Sequence, residues 1–430
     1  MTKLLERLTN VRRDEKGALL WALVYGFCIF LAYYILRPVR DEISSADRGN
    51  LQILWTAVFI VMLIAVPAYS WVVARWPRAK FVPWVNRFFI ACLVGFYIAL
   101  VSLPLGARPW IDRVFYVWAS VFALFVVTVF WGFMADLFTS EQGKRLFGPI
   151  AVGGSLGSII GSMVTAGLVD VLPAFSLLLV ACVPLEVAAQ AARRLQRHSD
   201  RAGSTLRREN APVSGSVWSG IKVVFSSPYL ARIALFIFLM TFASTVLYFQ
   251  QAHLLYDAIS DRAARTALFA KIDLAVNVIT LVGQGIIVAH VIRRLGMGWS
   301  LALVPIISMF GFVALGIFPT LAVLVVVQVL YRSLRYAVAK PTREVLFTVV
   351  DREEKYKSKA FIDAAVYRGG DLINGWIYAG LAALGMTVGA IALVAAPVAG
   401  LWALIGLQLG RRQEALAATS EGASDDSLST

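Results

Sequence analysis

Apolar runs of about twenty residues recur along this chain, at 18–37, 51–74, 83–104, 111–135, 146–169 and 171–192, then again at 229–252, 266–291, 298–317, 319–339, 360–384 and 386–409. Each run is long enough to cross the roughly 30 Å hydrocarbon core of a bilayer as a helix. Hydrocarbon offers no hydrogen bonds to a backbone, so a run of this kind must satisfy its N–H and C=O groups within itself, as a helix does. The pattern therefore predicts an all-α integral membrane protein with twelve transmembrane helices, arranged as two six-helix bundles. Composition agrees: 59% of the 430 residues are hydrophobic and 15% charged, against about a quarter charged in soluble domains.

The net charge of +14 sits mostly in short connections. Arg75, Arg78 and Lys80, Lys144 and Arg145, Arg193, Arg194, Arg197, Arg201, Arg207 and Arg208, Arg293 and Arg294, and Arg352, Lys355, Lys357 and Lys359 fall on one side. The other side holds Arg40, Arg48, Arg108, Arg113, Arg262 and Arg265 mixed with acids. By the positive-inside rule this places both termini in the cytoplasm of a bacterial inner membrane, and it explains the charge without nucleic acid. The chain divides at a basic, Ser- and Gly-containing stretch, giving residues 1–192 as one bundle, 193–228 as a cytoplasmic linker, 229–412 as a second bundle and 413–430 as a disordered acidic tail. The basic residues before the first run read either as a solvated tail or as a surface-lying helix, and that run reads as a retained span rather than a signal peptide.

The two halves echo each other. ADLFTSEQGKRLFGPIAVGGS joins the fourth and fifth spans, and REVLFTVVDREEKYKSKAFIDAAVYRGGD the tenth and eleventh. Both carry LFT, then a charged cluster, then an apolar stretch ending in a Gly pair. ARWPRAK and VIRRLGMG match in kind between the second and third and the eighth and ninth spans. Two parallel six-helix repeats are similar to the plan of the major facilitator superfamily.

A charge inside a span costs about 2.5–3.5 kcal/mol on insertion scales and needs a reason. Arg37, Arg40, Asp41 and Glu42 close the first span, with Arg37 and Asp41 on one helical face if Pro38 merely kinks the helix. They read as anion binding with a pairing or gating acid, or as a salt-bridge lock. Asp273, Asn277, Thr280 and Gln284 in the eighth span share one face and read as a cavity lining, with Lys271 off the stripe and snorkelling outward. Arg343 and Glu344, then Asp363, Arg368 and Asp371, mark the tenth and eleventh spans as anion ligands and coupling acids, or as a gate network. Gly153, Gly157 and Gly161 recur at intervals of four, the spacing of close helix packing. Tyr33, Tyr34, Tyr248, Tyr367 and Trp376 are candidates to stack on a ring-bearing solute. The three cysteines and three histidines are scattered without metal spacing, and GxxxxGK[ST] is absent, so no cofactor or metal is expected.

ILRPVRDEIS, FWGFMADLFTSEQGKRLFGPIAVGGSLG, SSPYLARIAL and KPTREVLFTVV…KSKAFIDAAVYRGGD together resemble the nucleotide (ATP/ADP) carrier family, distant relatives of the major facilitator superfamily. The resemblance covers nearly all twelve spans. It implies alternating access and phosphate recognition by embedded basic residues, with Arg40 at one such position and Arg368 at another, where the local match falls on Arg368 or on Asp371. The chain departs from the family in a fourth span, Tyr116 to Met134, that has no charge, and in Gln250 and Gln251 where the family has an acid.

The reading is a monomeric secondary transporter of an organic anion, a nucleotide or another phosphorylated metabolite. Arg37, Arg40, Arg343 and Arg368 bind it, Asp273, Asn277 and Gln284 line its path, and Asp41, Glu42, Asp363 and Asp371 couple or gate. The nearest rival is a proton-coupled exporter of drugs or apolar solutes. A membrane enzyme acting on lipid lacks a catalytic cluster, and a non-transporting sensor of the same fold is a third reading.

Overall fold

A computed structural model of the chain describes residue 12 and residues 15–76, 78–201 and 217–428. Lys3 and Arg7, among the basic residues before the first run, and Arg207 and Arg208 of the expected linker lie outside the described residues. The described chain is helical: α1 Lys16–Ala46, α2 Leu51–Arg75, α3 Arg78–Ser102, α4 Arg108–Leu137, α5 Ser140–Leu168, α6 Leu177–Arg201, α7 Val217–Ser226, α8 Pro228–Ala258, α9 Arg262–Ile317, α10 Leu321–Leu334, α11 Lys340–Val345, α12 Arg352–Phe361, α13 Tyr367–Ala383 and α14 Val388–Leu428.

Among the described residues eleven segments are long and apolar enough to cross a membrane. The expected eleventh of the twelve spans is not one of them. It is the α12–α13 stretch, where Asp363, Arg368 and Asp371 fall close together. Large apolar side chains face outward along the spans, among them Ile64, Trp84, Phe310 and Leu404. A water-soluble monomer does not display apolar surface on this scale, so this surface is the one that meets lipid. The chain is a multi-pass α-helical membrane protein.

Boundaries follow local chemistry. Thr139 and Gln142 form a reciprocal capping box that starts α5, with bonds of 3.0 and 3.1 Å. Thr320 caps α10 by accepting from the Val323 N–H. The expected eighth and ninth spans both lie within α9, which is broken at Gly296; its φ of 73° is open to glycine at no steric cost. Pro38 sits inside α1 without ending it, so the shared face of Arg37 and Asp41 exists. The stretch expected as a linker contains the last turns of α6 and all of α7. The stretch expected as a disordered tail continues α14 to Leu428. Gln413 there is buried and Glu414 accepts a 2.8 Å bond from the Met297 N–H. The run EALAA after Gln413 is rich in strong helix formers, which acidity alone does not overcome.

The helices sort by contact into two units. The first comprises Met1–Asp47, Thr56–Ala211 and Ile259–Asn277. In it α1 lies on α5 and α6, α3 on α6, and α4 on α1. The glycine stripe makes this possible: a Cβ at Gly157 would stand 2.2 Å from the Phe27 carbonyl oxygen, and one at Gly161 2.7 Å from that of Leu31. The second unit comprises Arg48–Trp55, Pro212–Ala258 and Val278–Thr430. There α8 is central, packed by α10, α13 and α14, and α7 lies on α12.

Candidate functional site

In the first unit the charges that close α1 meet those that open α9. Arg37 Nε lies 3.5 Å from Asp41 Oδ2 and 3.4 Å from Asp273 Oδ2, and its Nη1 reaches the Tyr34 hydroxyl at 3.4 Å. Arg40 clasps Asp41 at 2.6 Å and sits over the Tyr116 ring. Glu42 is wholly buried and is held at 2.7 Å by both Arg262 and Arg265. Arg262 also pairs with Asp112 at 3.0 Å, and Arg265 donates to the carbonyls of Ile259 and Ser260. Four guanidinia thus face four carboxylates, Asp41, Glu42, Asp112 and Asp273. Within these pairs each guanidinium meets a carboxylate, as buried charges must if desolvation is not to exceed attraction.

Further along α9 the expected polar stripe divides. Asp273 takes part in the network. Asn277 Nδ2 and Thr280 Oγ1 are buried without a hydrogen bond among the described residues. In the second unit Gln284 Nε2 lies 3.5 Å from the Tyr336 carbonyl oxygen, at the edge of bonding distance. Lys271 is exposed, as expected of a snorkelling side chain.

The second unit carries two more clusters. Arg343 pairs with Glu344 at 3.1 Å and Asp363 at 3.4 Å, and Lys359 also bonds Glu344. Asp363, the second residue of the wide turn that follows α12, is exposed. The other cluster surrounds Arg335. A π-helical turn, Arg335–Ala339, links α10 to α11, and a second, Ile362–Val366, links α12 to α13. Wide turns of this kind re-aim side chains and recur at functional sites. Here Arg335 Nη2 donates to the Tyr367 hydroxyl, with its guanidinium 5.9 Å from the Tyr331 ring centroid and 5.8 Å from that of Tyr367. Arg368 and Asp371 follow on α13, and Asp371 acts electrostatically on both Arg335 and Arg368.

The stacking candidates fare unequally. Tyr367 faces Arg335, and Tyr33 and Tyr34 pack edge to face at 5.0 Å. Tyr248 packs on Trp55 at 5.5 Å, and Trp376 is exposed. Gln250 donates to the Val388 carbonyl and Gln251 accepts from Gln328 at 2.6 Å, an uncharged amide seam in the core of this unit.

Sequence reasoning passed over Asp112, Arg262, Arg265, Arg332 and Arg335. The first three look like loop charges beside a span. Arg332 and Arg335 lie inside the tenth apolar run, where the rule that an intramembrane charge needs a reason already marks them. Arg332 is also buried.

The fold is that of a polytopic helical membrane protein, major-facilitator-like in architecture. Solved structures of this fold match nearly the whole chain. The POT family transporter PepTSo aligns over 92% of this chain and 98% of its own, at 12% identity and a TM-score of 0.64. The nucleoside transporter NupG aligns over 93% and 99%, at 13% and 0.60. A bacterial homologue of the iron transporter ferroportin, in an inward-facing state, aligns over 93% and 98%, at 14% and 0.65. No family model matches the sequence, and no curated protein is similar to it.

Proposed function

We propose that this protein is a secondary active transporter that moves an organic anion, a nucleotide or another phosphorylated metabolite, by alternating access. The observation that carries the reading is Arg37, a guanidinium inside a membrane span held between Asp41 and Asp273. A buried ion pair adds little net stability over an apolar contact, and inside a membrane it is retained where charges are exchanged during function. Arg37 and Arg40 release their carboxylates to take the substrate anion, and Asp41, Glu42, Asp363 and Asp371 gate or couple the cycle. The likeness of ILRPVRDEIS to the nucleotide carriers and the transport roles named for NupG and PepTSo support this assignment. An exporter of apolar solutes gains nothing from guanidinia in both units.

The same reading places a monomer in a bacterial inner membrane with both termini cytoplasmic, on the Lys and Arg bias of the connections. The test is exchange in proteoliposomes. Internal ATP, ADP or another phosphorylated metabolite should drive uptake of its labelled counterpart, and Arg40→Gln should abolish it at unchanged expression. Uptake of uncharged or cationic ring compounds with no response to any phosphorylated solute would move the protein to the exporter reading.

A further inference from the structure

We infer that Arg335, with Arg368 beside it and the rings of Tyr331 and Tyr367 around it, forms a second oxyanion-binding site, in the second unit, for the phosphoryl or carboxylate group of an organic solute. The inference rests on the organic-anion reading above and adds to it a residue and a place.

The argument is one of charge balance. In the first unit four guanidinia meet four carboxylates within ion-pair distance. Around Arg335 the balance fails. Its hydrogen-bond partner is a neutral phenol, Tyr367, and no carboxylate lies within ion-pair distance of it or of Arg368 among the described residues. Asp371 is the acid that acts on both, one carboxylate against two guanidinia. Arg343, by contrast, is matched by Glu344 and Asp363. A span that holds a surplus positive charge bears a desolvation cost that an incoming anion removes.

The shape of the site agrees. The guanidinium fork takes an oxyanion through two parallel N–H bonds. Tyrosine rings near a guanidinium hold it by cation–π attraction without consuming all of its donors. The Tyr367 hydroxyl occupies one donor, Nη2, and is a weak neutral ligand that a charged oxygen displaces. Both π-turns contribute: one begins at Arg335 and the other ends immediately before Tyr367. A purely structural arginine needs neither turn, since a regular helix with a carboxylate one turn away would neutralise it.

The experiment uses the purified full-length protein in detergent, with thermal unfolding followed against rising ATP, orthophosphate and citrate. A ligand that binds the folded state raises the transition with the logarithm of its concentration over Kd. The ATP and citrate arms separate phosphoryl from carboxylate recognition. The wild type should respond to at least one probe, and Arg335→Gln should weaken that response by about tenfold or more. Arg335→Lys keeps the charge but loses the fork and should fall between the two, a graded rescue that a packing role would not give. It also serves if the glutamine variant does not fold. Wild-type affinity in both variants overturns the site and leaves the transporter reading standing. A wild type that responds to none of the probes overturns the site and the anion reading together.

Discussion

Arg37 on α1 reaches Asp273 on α9, Nε to Oδ2, at 3.4 Å. The contact links the two polar signatures that stood out in the sequence as separate features, the charged end of the first span and the polar stripe of the eighth. Removing one member leaves the other buried with one ion-pair partner fewer. Asp273→Asn should therefore lower the thermal unfolding transition, and adding Arg37→Gln to it should recover part of the loss. A double-mutant cycle should return a coupling of about 0.5–3 kcal/mol. Strict additivity would show that the pair is a proximity without energetic consequence.

Glu42 is the hub of the remaining charges, since it holds both Arg262 and Arg265. Glu42→Gln keeps the shape and removes the charge that both guanidinia share, while Arg262 keeps Asp112. The expected cost is about 3–5 kcal/mol, read as loss of the folded state in detergent. Glu42→Asp, which keeps the charge on a shorter arm, should be milder. Equal behaviour of the two variants would mean that shape rather than charge decides.

The glycine stripe gives a prediction of a different kind. Gly157→Ala would place a methyl group 2.2 Å from a backbone oxygen of α1, and backbone cannot swing aside as a side chain does. Overpacking of this sort costs about 1–3 kcal/mol. Gly148→Ala, where an added Cβ meets nothing within 4 Å, is the control and should leave the unfolding temperature unchanged or slightly raised. A Gly157→Ala protein as stable as the control would remove the case for direct backbone contact between α1 and α5.

A pH dependence follows from Glu15, just before α1. Burial pushes its carboxyl up, but bonds from Arg145, the Arg12 N–H and Gln142 outweigh that and hold it below the ordinary 4.5. A carboxyl that titrates lower when folded than when unfolded stabilises the fold fully above its unfolded value and loses that effect as pH falls through the folded one. Wild type and Glu15→Gln should therefore differ most in unfolding temperature at neutral pH and converge as the medium is acidified below 4.5. A difference that is constant with pH would assign the effect to packing rather than charge.

The membrane class and nearly all the span positions were legible from the chain alone. The reason is that the hydrocarbon acts on each segment separately: about twenty apolar residues make a membrane helix whatever their neighbours do. Gly153, Gly157 and Gly161 were legible for the same reason, since a repeat of four marks one face of one helix. The α12–α13 stretch shows where that logic thins, because the charges it carries weaken its own apolar signal. Which charges meet was decided only by tertiary structure. Arg262 and Arg265 looked like loop residues until Glu42, 223 residues from Arg265, was found beside them, and Arg335 gained meaning only when the two π-turns set it against Tyr367. Hydropathy is a property of each segment taken alone, whereas charge balance belongs to a set of residues that only folding brings within a few ångströms of one another.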